Sequence, residues 1–108
     1  MNADHYSYRV RWSNEDNSYI GTVAEMNSLS WAADDQLDAL RGIRSLVAEV
    51  LEDMRETGET LPTAFSDREY SGKFMVRIPA EAHRQLAIDA AEQDVSLNRL
   101  VSQRLAGS

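Results

Sequence analysis

The chain has 108 residues, 43% of them apolar and none cysteine, and its 18 acidic against 11 basic residues give a net charge of −7. That composition excludes wholesale disorder, disulfides and thiolate metal sites, and it suits one small domain or two modules sharing the length. Only two histidines are present, His5 and His83, far apart, and no run approaches the ~20 apolar residues of a membrane span. The opening MNADHYSYRV lacks the apolar centre of a secretory signal, so a cytoplasmic protein without membrane, metal or cofactor is expected.

The charge is uneven. Residues 71–108 carry Lys73, Arg77, Arg84, Arg99 and Arg104 against Glu81, Asp89, Glu92 and Asp94, a balance of +1 that leaves −8 for residues 1–70. Two modules with different partners follow, one repelling polyanions and one able to approach them.

In chain order, Tyr6, Tyr8, Val10 and Trp12 alternate with Ser7, Arg9 and Arg11, the period of a strand with one apolar face. Residues 14–17 form a polar turn, and 18–24 resume extended character, with Gly21 marking a bulge or a close backbone approach. A third short strand over 28–32 completes a meander. Asp34 or Asp35 then caps a helix whose apolar residues Leu37, Leu40, Ile43, Val47, Val50, Leu51 and Met54 recur at helical spacing. Gly58 stops it. The expected boundaries are 1–60 for the first module, 61–71 for a linker and 72–108 for a second module.

The second module is a strand over 73–78, Pro79 at a helix entry, a helix over 81–93 with Leu86, Ala87, Ala90 and Ala91 inward, and a second helix capped by Ser96. Leu97, Leu100, Val101 and Leu105 form the stripe of that second helix. Phe74, Val76 and Ile78 occupy one strand face, and Lys73, Met75 and Arg77 the other. One strand and two helices cannot bury these residues alone. A homodimer that pairs two strands antiparallel satisfies both edges and closes a shared core of Phe74, Val76, Ile78, Leu86, Leu97, Leu100 and Val101.

The strand at 73–78, Pro79, the 81–93 helix and Ser96-Leu97-Asn98 together resemble the ribbon-helix-helix family of DNA-binding proteins. The ordered phrases YRVRW, SYIGTVAE, SLSWAADD and SGKFMVRIP are similar to HicB-type antitoxins of type II toxin–antitoxin systems. The resemblance implies an α+β fold: a three-stranded antiparallel sheet packed on one helix, reduced ribonuclease-H-like, followed by a ribbon-helix-helix dimerisation module. It implies an antitoxin that neutralises a small basic HicA-type, messenger-RNA-cleaving toxin and represses its own operon. Carried over by position, Lys73, Met75 and Arg77 face the base edges of operator DNA in the major groove, and Arg77 presents a fork to guanine. The backbone of Ser96, Leu97 and Asn98 anchors a phosphate, with Arg99 adding charge. Two departures stand out: Met75 is apolar where the family carries a polar reader, and Asp94 holds the inter-helix turn where glycine is common.

Other readings are weaker. A dimeric protein-interaction module without DNA binding is the alternative. A metal-dependent nuclease requires converging carboxylates, and the acids near strand ends, Asp4, Asp16, Glu25 and Asp34, show no spacing that forces convergence, so no enzyme is expected. His83 reads as an ordinary helical residue, His5 as part of a frayed start, and Trp12 and Trp31 as packing in the core or at a partner interface.

Overall fold

A computed structural model describes residues 3–107 and divides into two compact units, one ending at Tyr70 and one beginning at Ser71. The fold is α+β, a three-stranded antiparallel sheet followed by helices.

In the first unit β1 (Tyr8–Ser13), β2 (Ser18–Val23) and β3 (Ser30–Ala33) form a meander in the order β1-β2-β3. The turn between β1 and β2 places Asn17 in the left-handed region at φ 50°, where asparagine is better tolerated than most residues. In the register Val10 lies opposite Gly21 and Gly21 opposite Trp31, with Trp12, Tyr19 and Ala33 in the neighbouring row. Alternation puts these rows on one face and Arg9, Arg11 and Thr22 on the other. The first strand is shorter than the alternation suggests. Tyr6 lies before it, buried, and donates its hydroxyl to the carbonyl of Pro62 at 2.7 Å.

Helix α1 (Gln36–Glu56) is capped by Asp35, whose carboxylate accepts from the Asp38 N–H at 2.8 Å. Its C-terminus closes at Gly58, φ 76°, with the Glu59 N–H donating back to Met54. Ile43, Val47 and Leu51 are buried as the spacing requires and pack with Tyr6, Val23 and Ala64, and Ala39 on the same helix is buried as well. Leu37 departs from the expected core stripe and is 62% exposed. Gly21 explains how closely the helix seats: a Cβ there would lie 2.7 Å from the Ala39 carbonyl oxygen and 2.9 Å from Ile43 Cγ2. The expected close approach is therefore present, and the β1–β2 register runs through it without a bulge. Gly42 on α1 likewise leaves room for the Trp31 indole.

Residues 61–70, expected as most of a linker, fold back onto the first unit. Ala64 is buried, Leu61 packs against the core, and a short turn of helix spans Phe65–Asp67. Glu25 holds this return. Its carboxylate accepts from the Phe65 N–H and the Ser7 N–H, each at 2.9 Å, and from the Ser7 hydroxyl at 3.3 Å. His5, expected to fray, instead lies in a helical turn over Ala3–His5, with Nδ1 2.9 Å from the Asp67 carboxylate. Apolar side chains at 61 and 64 and an acceptor at 25 turn a sequence of linker-like composition into packed structure.

In the second unit, α2 (Ala80–Glu92) and α3 (Leu97–Ala106) are joined by a short turn and pack against each other as a helical hairpin. The strand expected over 73–78 is not formed: the segment has no regular secondary structure, and residues 74–78 make no backbone hydrogen bond among the described residues. A strand needs an edge to pair with, and a single copy of this unit supplies none. Ala90 and Leu100 are buried, whereas Ala87 and Ala91, expected inward, are exposed in the single chain. Among the described residues, no helix is long and apolar enough to cross a membrane.

Two outcomes test these contacts. Gly21→Ala forces helix and sheet apart and should cost about 1–3 kcal/mol in urea unfolding. Burial pulls the Glu25 carboxyl upward, but the Phe65 and Ser7 donors outweigh it and leave the group below the ordinary glutamate range. The stabilisation is therefore complete above that range and lost as pH falls through the lowered value. Glu25→Gln should remove this part of the acid dependence and speed proteolysis between residues 61 and 70.

Candidate nucleic-acid interface

The second unit is organised by its inter-helix turn. Asp94 sits at φ 57°, and the chain reverses with the Val95 N–H donating to the Ala90 carbonyl at 3.0 Å. This is the left-handed C-terminal closure that glycine usually fills; an aspartate accomplishes it here, as expected, at a cost of about 1 kcal/mol. Arg104 bridges the helices to Asp89 at 3.2 Å. Ser96 caps α3 by accepting the Arg99 N–H at 3.0 Å. With Arg99 satisfied internally, the N–H groups of Leu97 and Asn98 have no acceptor among the described residues, and they sit at the positive end of the helix dipole.

The segment before α2 lies along the two helices, and Lys73 borders the same side as Phe74 and Val76. Val76 and Ile78 line a hollow of about 440 Å³ with His83, Leu86, Leu97 and Val101. Phe74 and Val76 border a second hollow of about 560 Å³ with Asn98, Val101 and Leu105. Both are open, so Phe74 remains 76% exposed, and Val76, Ile78 and Leu105 are also exposed. Of the expected dimer core, Leu100 alone is buried within one chain; Leu86, Leu97 and Val101 are half-buried and the three segment residues are exposed. His83 is exposed at the rim of the first hollow.

Lys73, Met75 and Arg77 are all exposed, Met75 by 86%. The charges of the unit sort themselves clearly. Arg84 pairs with Glu81 and Arg104 with Asp89, whereas Lys73, Arg77 and Arg99 have no carboxylate partner among the described residues. The three unpaired cations are those at the segment and at the start of α3.

The four acids near strand ends in the first unit do not converge on one point among the described residues. Asp4 pairs with Arg44, Asp16 accepts from the Ser13 hydroxyl, Glu25 holds Phe65 and Ser7, and Asp34 precedes α1. No group of three or more potential metal ligands converges among the described residues. In the sequence Glu25 is only one of those scattered acids. Its structural partner Phe65 is 40 residues away, and no local pattern announces such a contact.

The chain matches the HicB family model over residues 56–105, slightly under half its length, from the end of α1 through most of α3. That match supports reading it as a HicB-type protein. No match was found among curated proteins or among solved structures.

Ser96→Ala should destabilise α3 by about 1 kcal/mol, read as a lower thermal midpoint together with reduced helicity of the second unit.

Proposed function

We propose that this chain is the antitoxin of a toxin–antitoxin pair, a dimer that binds its operator through the second unit and its toxin through the first. The family match over residues 56–105 favours an antitoxin. The observation that carries the proposal is the segment 74–78, whose backbone is unpaired and whose apolar residues border open hollows on α3. A second copy supplies what is missing. Two such segments paired antiparallel satisfy each other's N–H and C=O groups and bring Phe74, Val76 and Ile78 against Leu86, Leu97 and Val101, in a ribbon-helix-helix arrangement.

Pairing also sets the chemistry of the other face. A two-stranded ribbon fits the DNA major groove, and Lys73, Met75 and Arg77 point outward from it. Arg77 donates two hydrogen bonds to guanine, Lys73 reaches a base acceptor or a phosphate, and Met75 meets a thymine methyl. The open N–H groups of Leu97 and Asn98 receive a phosphate, with Arg99 nearby to add charge. The first unit, which we read as a reduced ribonuclease-H-like module that includes the returning stretch to Tyr70, binds a small basic HicA-type toxin and covers its catalytic or RNA-binding surface. Its balance of −8 over residues 1–70 suits such a partner. The exposed apolar Met75 at the middle of the ribbon favours a second reading, a dimeric interaction module that reads no base sequence.

Sedimentation and a salt titration of binding to promoter DNA separate the readings. The expected result is a dimer whose DNA affinity falls steeply with salt, since phosphate contacts release counterions. Arg77→Ala should cost about 1–3 kcal/mol of specific binding and relax sequence preference. A dimer without promoter affinity at low salt selects the interaction module, and a folded monomer at micromolar concentration overturns both.

A further inference from the structure

The first unit has an open surface of its own, at the end where the β1–β2 hairpin meets the start of α1. Tyr19, Asp35, Gln36, Leu37 and Arg41 line an open groove of about 400 Å³. Trp12 packs edge-on against Tyr19, ring centroids 5.1 Å apart, and its indole N–H donates to the Asn14 side chain at 2.7 Å. Trp12 is 46% exposed, and Leu37 is more open still. Rigidly held aromatics beside an exposed leucine have the composition of an interface core rather than of ordinary surface. Capping by Asp35 and the T-shaped ring pair fix these groups before any partner arrives, which lowers the entropy cost of binding.

Charge identifies the occupant. Glu15 and Asp16 lie in the turn beside Trp12, while Asp34, Asp35 and Asp38 surround the entry to α1. Arg41 is the one cation lining the groove, and Asp38 pairs with it at 3.4 Å. The opposite face of the same sheet carries Arg9 and Arg11, neither with a carboxylate partner among the described residues. A basic protein is attracted to the groove end and repelled by the opposite face, and nucleic acid experiences the reverse. We propose that the groove lined by Tyr19 and Leu37, with Trp12 packed beside Tyr19, is the docking surface for a basic protein segment, which inserts an apolar side chain beside Leu37 and lays lysine or arginine against the acidic rim and the aromatic rings. This deepens the reading of the first unit as the toxin-binding part, and rests on it for the identity of the natural partner.

The test uses the full chain labelled with nitrogen-15, following the indole signal of Trp12. The probes are a short peptide alternating lysine and leucine and its glutamate-for-lysine counterpart. The lysine peptide should shift the Trp12 indole to saturation and the glutamate peptide should leave it in place. Leu37→Lys should weaken the lysine peptide about tenfold, whereas Thr22→Lys, the same charge change on the opposite face, should alter it by less than about twofold. No indole shift, or equal weakening by the two variants, overturns the proposal. A HicA-type toxin serves as a second probe. If it binds wild type and Leu37→Lys equally, the groove is not its docking surface and the toxin reading stands. If it does not bind while the lysine peptide still selects the groove, the toxin reading falls and the docking surface stands.

Discussion

Backbone hydrogen bonding sets the terms for this protein more than any side chain does. An extended segment can leave its N–H and C=O groups to water, but it cannot at the same time hold a row of apolar side chains out of water, and residues 74–78 do neither completely. The two helices behind them offer apolar hollows but no strand edge. The second unit thus leaves the backbone and the apolar side chains of this segment unmet. Its buried residues Ala90 and Leu100 are enough to close the helical hairpin and too few to shelter the segment. The proposed pairing of two copies relieves both deficits in one step, and by occupying one face of the ribbon it frees the other for recognition.

The first unit reaches completeness by different means. Its sheet has one face covered by α1, and Gly21 sets how closely that helix lies, so the core of Tyr6, Val23, Ile43, Val47 and Leu51 forms within a single chain. What remains open is electrostatic and aromatic rather than a missing strand. Acids gather around Trp12 and Leu37, and arginines point from the far side of the sheet. The two units therefore suit different kinds of partner for different physical reasons, one through an unmet backbone and one through a charged rim on a preformed groove.

Much of this was legible in the residues. Alternation located β1, an extended run after the polar turn located β2, helical spacing located α1, Ser96 and an aspartate at 34 or 35 marked helix starts, and Gly21 signalled a bulge or a close backbone approach, of which the structure shows the second. These signals are local, and the structure honours them because burial agrees with them. The misreadings share a cause in distance. Glu25 and Phe65 are adjacent only after folding, so a polar stretch with a proline and glycines resembled a linker. Leu37 obeys the helical period but borders an open groove instead of the core. The strand at 73–78 carries a strand's pattern without a strand's partner in the same chain, which is why the pattern and the observed conformation differ.

The clasp at Glu25 has a consequence for how this protein can change. Glu25 grips the main-chain N–H groups of Ser7 and Phe65, and Tyr6 grips the main-chain oxygen of Pro62. Main-chain atoms are common to nearly every amino acid, so the gripped positions are free to vary while the gripping ones are not. Random substitution would then wear unevenly on the two sides of each contact: outside its packed side chains at 61 and 64 the returning stretch can drift in identity and keep its path, whereas a single replacement at position 25 or 6 loosens it.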